Sequence, residues 1–270
     1  MPWSTPFRVG SRPPRRLQPA GVQADILTAM DLAPDRARRL LRATLGERAY
    51  SRLRQAYRRR LGPHAYLRGV SGLIHVGAHT GQEREIYASF DLDVLWVEPL
   101  PEVFQELEAN IAAHPKQHAR QRLLTDVQGR EYCFHVANNA GASSSILDLA
   151  DHRRMWPEVA FERDLILEST TLDALLSQEK LDASRYPALV LDAQGSELLV
   201  LRGALETLPH LRFIQAEAAD FEAYQGGCRA EDLTTFLAAH RFVEWRRRVQ
   251  YTTPGIGTYY EMLFRRAPRS

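Results

Sequence analysis

Leu73-Ile74-His75-Val76-Gly77-Ala78-His79-Thr80-Gly81 is a short apolar run that breaks into a turn bracketed by two glycines. Asp93-Val94-Leu95-Trp96-Val97-Glu98-Pro99 follows it as a second apolar run ending in an acid. An apolar run of about five residues closed by glycine reads as a buried parallel strand, and Gln82 to Phe90 has the polar and apolar mix of a short helix. With no side chains at Gly77 and Gly81, the backbone can approach a ligand closely and the N–H groups opening the helix can face a negative group. Glu98 lies 21 residues past Gly77. In nucleoside-binding α/β folds a carboxylate at the tip of the second strand accepts hydrogen bonds from ribose hydroxyls. The pair of runs therefore reads as a nucleoside cofactor site.

The type of cofactor follows from what the turn lacks. It carries Gly-x-x-x-Gly without the third glycine that lets helix and strand close over a pyrophosphate, which disfavours NAD. No Gly-x-x-x-x-Gly-Lys-Ser/Thr run occurs in the sequence, so a P-loop is absent. A looser turn with an acid on the second strand suits S-adenosylmethionine, which has a ribose to hold but no phosphate.

The order of elements points the same way. After Glu98, residues 102–113 read as a helix and Arg122 to Asp126 as a third strand ending in an acid. Gly129 then turns the chain into an antiparallel excursion over 132–137, and Asn138 to Ser145 is small and polar, suited to a loop over a ligand. Residues 165–170 read as a strand and 172–179 as a helix opening at Thr171-Leu172-Asp173. Ala188 to Asp192 and Phe213 to Glu217 follow as two more core strands. Between them a helix runs to about Thr207. A helix over 230–240, a strand over 242–249 and a closing antiparallel strand over 259–264 complete the chain. Strands alternating with helices give a mostly parallel sheet covered on both faces. Right-handed crossovers then bring the strand ends bearing Glu98, Asp126, Asp192 and Glu217 to one edge. A terminal strand pair with one member reversed favours a methyltransferase-like sheet over a dinucleotide fold.

At 270 residues, 44% apolar and 25% charged, the chain can bury one substantial core with an appendage. The formal charge of +2 is nearly neutral, but arginines crowd residues 1–68. Residues 1–30 read as an extended, proline-interrupted basic tail, 31–68 as an Arg-rich helical extension, and 69–270 as the catalytic domain. No apolar stretch approaches the ~20 residues of a membrane span and no signal-peptide core opens the chain, so a soluble cytoplasmic protein is expected. Cys133 and Cys228 lack Cys-x-x-Cys spacing, which suggests neither a disulfide framework nor a zinc site, and both read as reduced thiols.

The ordered motifs Ile74–Gly81, Val97-Glu98-Pro99, Thr125-Asp126-x-x-Gly129, Ser143-Ser144-Ser145, Thr171-Leu172-Asp173, Leu191-Asp192-Ala193-Gln194-Gly195-Ser196-Glu197 and Glu217 together resemble the FkbM-type S-adenosylmethionine-dependent methyltransferases, over roughly residues 72–243. The resemblance implies a Rossmann-like class I fold, with a mostly parallel seven-stranded sheet and an antiparallel last strand. It also implies methylation of a hydroxyl on a sugar, polysaccharide or secondary metabolite. By that resemblance the turn (Gly77, Ala78, His79, Gly81, Gln82) holds the methionine end of the cofactor, and Glu98 with Pro99 holds the ribose. Thr125 and Asp126 hold the adenine, and Asp192 also borders the cofactor. Ser143, Ser144, Ser145, Gln194 and Glu197 line the acceptor side. The sequence departs from the family pattern at His75, where Asp is usual, and at His79, where Asn is usual; the first removes a carboxylate expected to orient the turn or the cofactor amine. We expect His79 to contact the cofactor and His75 to be structural.

Methyl transfer from a sulfonium is an in-line displacement, so positioning is the main lever and a base helps. Asp192, at the end of a central strand, is read as the general base or the group orienting the acceptor; the competing reading is a helix N-cap. Glu217 is the second candidate. Asp192, Glu197 and Glu217 could in principle hold a hard divalent cation, but a hydrogen-bonded set of acids without an ion is preferred. Tyr224, Trp156 and Tyr259 are candidate sugar-stacking aromatics, with core or rim packing as the alternative. The expected acceptor is a small molecule or glycan. An RNA or protein methyltransferase guided by the basic helices, or a degenerate cofactor-fold binding module, are the alternatives. Nucleic acid is disfavoured because Asp192-Ala193-Gln194-Gly195 stands where a base-flipping signature would. A solvated cap, a homo-oligomer contact or attraction to a polyanionic acceptor accounts better for the arginines.

Overall fold

The computed structural model describes residues 62–268, together with Ala43, Thr44, Gly46 and Ala49. The tail expected over 1–30 and most of the helical extension expected over 31–68 lie outside the described residues. The architecture is that of the second of two compact units, Tyr66–Ser270.

Its centre is a seven-stranded sheet. β1 (Gly72–Val76), β2 (Asp93–Glu98) and β3 (Gln117–Gln121) run parallel on one side. β7 (Ala188–Leu191) and β8 (Phe213–Ala219) continue the parallel set on the other side of β1. β9 (Phe242–Thr253) and β10 (Gly257–Arg266) complete it, with β10 inserted antiparallel between β8 and β9, so the spatial order is β3-β2-β1-β7-β8-β10-β9. The near-continuous apolar runs of β1, β2 and β7 follow from burial on both faces. Ile74, Val76, Leu95, Val97, Leu189 and Leu191 face one core, shared with α4 (Leu172–Gln178), α5 (Glu197–Arg202) and α6 (Ala230–Ala239). Leu73, Val94, Trp96, Ala188 and Val190 face the other, shared with α1 (Arg84–Ser89) and α2 (Pro101–Ile111). α4 starts where its sequence signals: Thr171 is the N-cap and accepts a hydrogen bond from the N–H of Ala174 at 3.0 Å.

A second, three-stranded sheet lies beyond β3. β5 (Glu131–Ala137) and β6 (Phe161–Thr170) pair antiparallel, and β4 (Leu123–Leu124) lies parallel to β6. The short helix α3 (His152–Met155) sits in the long connection between β5 and β6. This is the antiparallel excursion of the sequence reading, but the third core strand differs from the expectation. Residues 122–126 do not form it: Leu123-Leu124 belongs to the second sheet, and the third strand of the main sheet is the polar segment Gln117-His118-Ala119-Arg120-Gln121. An edge strand needs only one apolar face. Here Gln117 is buried and satisfied, with its Oε1 accepting from the indole of Trp96 and its Nε2 donating to the carbonyl of Arg84. The helix expected to reach Thr207 ends at Arg202. Among the described residues no helix is long and apolar enough to cross a membrane.

Gly77 is required by the sheet itself. It has φ of 74°, and a Cβ there would come within 1.8 Å of the carbonyl oxygen of Asp192, because the ends of β1 and β7 touch through their backbones. Gly77→Ala combines a left-handed backbone with that clash, and should cost at least about 3 kcal/mol. In thermal unfolding followed by circular dichroism this appears as a Tm roughly 6–12 °C lower; an unchanged Tm would contradict the close approach.

Candidate active site

The carboxyl ends of β1, β2 and β7 are laced together by backbone hydrogen bonds. The N–H groups of Gly77 and Ala78 both donate to the carbonyl of Val97, at 3.0 and 3.1 Å, and that of Asp192 donates to the carbonyl of Val76 at 3.0 Å. Above this seam opens a hollow. Gly77, Ala78, His79, Gln82, Glu98, Pro99 and Asp192 border it on the sheet side.

Glu98 is 6% exposed. Its Oε2 accepts from the N–H of His79 at 2.8 Å and its Oε1 from that of Leu100 at 3.0 Å, so the turn and the start of α2 fix the carboxylate at the hollow. An ionised carboxylate has about four acceptor positions, and these two bonds leave about two for a diol. His79 adopts φ of 46° and bonds through Nε2 to the carbonyl of Ala140 at 2.9 Å, while its buried Nδ1 has no partner. His75 is held from below: Tyr87 Oη lies 3.1 Å from its Nδ1, and its ring stacks on Trp96 at 5.0 Å.

Asp192 follows β7 directly and opens a loop in which Gln194 and Gly195 both have positive φ, 48° and 95°. The loop is held by Glu197, whose Oε1 accepts from the N–H groups of Ala193 and Gly195 and whose Oε2 accepts from the Cys228 thiol. Glu197 is 2% exposed and works as the internal clamp of the loop. The helix-cap alternative for Asp192 does not hold, because Ser196 is the N-cap residue of α5. Instead Asp192 Oδ1 accepts from Gln194 Nε2 at 2.5 Å, and Gln194 Oε1 accepts from Tyr224 Oη at 2.6 Å. Asp192 and Gln194 also border a smaller hollow of about 310 Å³, where Glu197, Glu217, Tyr224, Cys228 and Tyr259 stand. The two residues thus form the partition between the hollows.

The connection from β5 closes the larger hollow from above. Gly141, Ala142, Ser144, Ser145 and Ile146 border it. Ser145 Oγ donates to the carbonyl of Gln194 at 2.8 Å and accepts from the N–H of Leu147 at 3.1 Å, while Ser144 Oγ accepts from the N–H of Ala137 at 3.0 Å. Ser143 stands outside the hollow, its carbonyl accepting from Tyr224 Oη at 3.3 Å. The structure therefore brings together most of the residues singled out in the sequence, with a few exceptions. Gly81 faces α2, where a Cβ would meet Leu107. Thr125 and Asp126 do not border the hollow; Thr125 is fully buried and its hydroxyl bonds Val127. That position is taken by Arg122, Leu123 and Leu124, because β3 ends earlier than the acid at 126 suggested. Glu83 and Phe134 also border the hollow and were not anticipated; Glu83 follows Gln82 directly, but an acid in a first helical turn reads as an ordinary dipole partner.

Burial dominates the electrostatics. It raises the Glu98 and Glu197 carboxyls each to about 6, and raises Glu83 and Asp192, the last opposed by the hydrogen bond from Gln194. Glu217 is pushed up to about 8 by burial first and then by the charges of Asp192, Glu197 and Glu261. Among the described residues, Asp192, Glu197 and Glu217 do not bring their ligand atoms together as a group able to hold a metal ion.

A reversed strand inserted in a doubly wound sheet, with a hollow at the tips of the first, second and fourth parallel strands in chain order, defines a class I S-adenosylmethionine-dependent methyltransferase. The chain belongs to the FkbM methyltransferase family, whose domain matches residues 75–249, well over half its length, and the cofactor is S-adenosylmethionine. Solved structures with similar folds include a Streptococcus pneumoniae protein described provisionally as a tRNA (m1A22) methyltransferase, 12% identical with a TM-score of 0.42, over 76% of this chain and 69% of that one. Another is magnesium protoporphyrin IX methyltransferase from Synechocystis PCC 6803 with bound S-adenosylmethionine, 10% identical with a TM-score of 0.42, over 73% and 71% of the two chains. No curated protein matches the sequence significantly.

Glu217 gives a pH test. In the fold it keeps to about pH 8 a proton that an ordinary Glu releases near 4.5, so the stability it contributes falls as pH rises through that range. Below about 6.5 the signal is mixed, because Glu98 and Glu197 titrate near 6 and burial lowers His152 to about 4, an effect of opposite sign. Between pH 6.5 and 8, thermal stability should decline more steeply in the wild type than in Glu217→Gln, where Asp192, also raised by burial, remains, with the two proteins equal at the acid end. Parallel pH profiles would show that Glu217 is not the group responsible.

Proposed function

We propose that the enzyme methylates a hydroxyl of a sugar-containing or natural-product acceptor, with Asp192 as the group that orients the acceptor oxygen and takes its proton. The observation carrying this reading is the place of Asp192 and Gln194 as the partition between the two hollows. On this reading the larger hollow takes the cofactor. Gly77, Ala78, His79 and Gln82 hold its methionine end, and Glu98 accepts from the ribose hydroxyls. The region that the sequence assigned to Thr125 and Asp126 is served by Arg122 to Leu124. When bound, S-adenosylmethionine supplies an electrophilic methyl group on a sulfonium.

The chain's own part is alignment and proton handling. Gln194 pins Asp192 Oδ1, leaving Oδ2 for the acceptor, and the Tyr224 hydroxyl holds the amide of Gln194 so that it donates rather than accepts. Burial raises the basicity of Asp192, which favours proton transfer from a developing oxonium. Ser144, Ser145 and the clamp at Glu197 hold the loops around Asp192 in place.

A glycan acceptor is supported by an aromatic file leading outward from the smaller hollow. Tyr259 borders that hollow, Trp156 packs on Tyr259 at 5.3 Å, and Tyr251, 55% exposed, meets Trp156 edge-on at 5.6 Å. Tyr224 and Tyr259 are themselves buried, so the surface available to a sugar ring is that of Trp156 and Tyr251.

Asp192→Asn should lower kcat about 10²–10⁴-fold with S-adenosylmethionine binding intact by calorimetry; turnover near the wild-type rate removes the residue from the chemistry. Glu98→Gln should instead weaken cofactor binding by about 10-fold or more, as expected when hydrogen bonds to a charged acceptor are degraded. Transfer of labelled methyl to RNA or protein, with none to glycans or small hydroxylated metabolites, would reassign the acceptor.

A further inference from the structure

We propose that Cys133, His135 and Asp164 form a binding site for one zinc-class divalent cation on the outer face of the second sheet. The strand register builds it. Cys133 and His135 are two apart on β5 and so share a face, and Asp164 on β6 pairs directly with His135 across the antiparallel ladder. Their donor atoms all lie within 4.8 Å of one another. Cys133 Sγ is 3.8 Å from His135 Nδ1, and Asp164 Oδ1 is 2.7 Å from that same nitrogen.

Around a tetrahedral zinc ion, bond lengths of about 2.0 Å to nitrogen or oxygen and 2.3 Å to sulfur put ligand atoms about 3.3–3.6 Å apart. The sulfur–nitrogen spacing is already close to that, and the Asp164 carboxylate, 58% exposed, has only to swing outward by about half an ångström to admit the ion. The donor set selects the metal: thiolate and imidazole suit zinc-class ions, whereas magnesium and calcium want oxygen throughout. Three protein ligands leave a fourth position for water.

The surroundings supply what a ligating histidine needs. The ring of His135 stacks on Phe161 at 4.8 Å, which fixes its plane, and the carboxylate of Asp148 stands 3.8 Å from Nε2, on the side away from Cys133 and Asp164. With the ion on Nδ1, the imidazole proton passes to Nε2, where that carboxylate stands to receive it. Partial desolvation, and after it the Asp164 and Asp148 carboxylates, push the Cys133 thiol up. Binding releases the Cys133 proton to solvent and forms the sulfur–metal bond.

The site would also brace the hollow. The backbone of His135 exchanges two hydrogen bonds with that of Ser145, at 2.8 and 3.1 Å, and Ser145 borders the larger hollow. The cysteine spacing gave no hint of such a site because its ligands come from a Cys-x-His pair and a residue on the neighbouring strand.

The test is titration of chelator-stripped full-length protein with cobalt(II). We expect one equivalent to bind with a thiolate-to-cobalt charge-transfer band in the near ultraviolet, and zinc to raise the Tm by mass action. Cys133→Ser should abolish the band, and His135→Gln and Asp164→Asn should each weaken binding at least about ten-fold; circular dichroism and retained S-adenosylmethionine binding would confirm that each variant folds. Absence of the band in the wild type, its persistence in Cys133→Ser, or affinity unchanged in both His135→Gln and Asp164→Asn would overturn the proposal.

Discussion

Everything at the site depends on the contact between the ends of β1 and β7, where Gly77 lies against the carbonyl of Asp192 with no room for a side chain. Because the two backbones touch, the N–H of Asp192 reaches the carbonyl of Val76, while Gly77 and Ala78 turn their N–H groups toward Val97 on the opposite side. Three strand tips are thereby fixed to one another by main-chain bonds alone. The functional carboxylates then need only short side chains to reach their places. Glu98 is set by the N–H groups of His79 and Leu100, and Asp192 by the amide of Gln194. Precision of this kind comes from the scaffold and suits a reaction that depends on alignment.

The arrangement stores electrostatic strain. Glu83, Glu98, Asp192, Glu197 and Glu217 all have carboxyls raised by burial, and among the described residues no buried arginine or lysine stands with them to compensate. Such a set lowers stability when ionised, which an ordinary core would avoid by substitution. Part of the cost is offset by local donors: the Glu197 carboxylate takes two backbone N–H groups and a thiol, and Glu98 takes two N–H groups. Among the described residues Glu217 has no such donors, and its carboxyl is pushed up to about 8. A cationic sulfonium and amine would relieve that repulsion, so the site is arranged to be more comfortable with its ligand than without it.

What could be read from the sequence follows the strength of the physical signal. The runs at β1, β2 and β7 are apolar throughout because both faces are covered, so their identity and order were plain, and the reversed strand before the end followed from the pattern of Tyr259 to Phe264. Glu98 and Asp192 could be placed at strand tips because each closes a run that is apolar throughout. β3 was not legible. Its sequence Gln117 to Gln121 is polar, and its burial rests on the Gln117 side chain bonding Trp96 and Arg84, which no periodicity encodes. The misplacement carried Thr125 and Asp126 with it, since an acid after an apolar pair looks like a strand tip whichever sheet the pair belongs to. Glu197 was recognised as a site residue by its motif, but its work as a clamp depends on Cys228, 31 residues on, and on backbone groups that sequence does not show.

The two walls of the larger hollow are held by different means, and this separates what can vary from what cannot. The sheet-side wall is bonded through the main chain to the core, so a change there strains β1, β2 and β7 together. The opposite wall, residues 138–146, reaches the sheet side through hydrogen bonds from His79 to Ala140, Ser145 to Gln194 and Tyr224 to Ser143, and otherwise packs within its own cores around Phe134 and Leu149. Two of these three bonds end on carbonyl oxygens of the wall and so persist when its side chains change, whereas the third is donated by the Ser145 hydroxyl to the carbonyl of Gln194 and depends on that side chain. A wall tied mainly through its backbone can be re-shaped by substitution without unfolding the sheet, and that is the property expected of the surface that meets a variable acceptor. On the function proposed above, holding the sulfonium cofactor falls to the strand tips, and discrimination among acceptors to the segment that the second sheet carries.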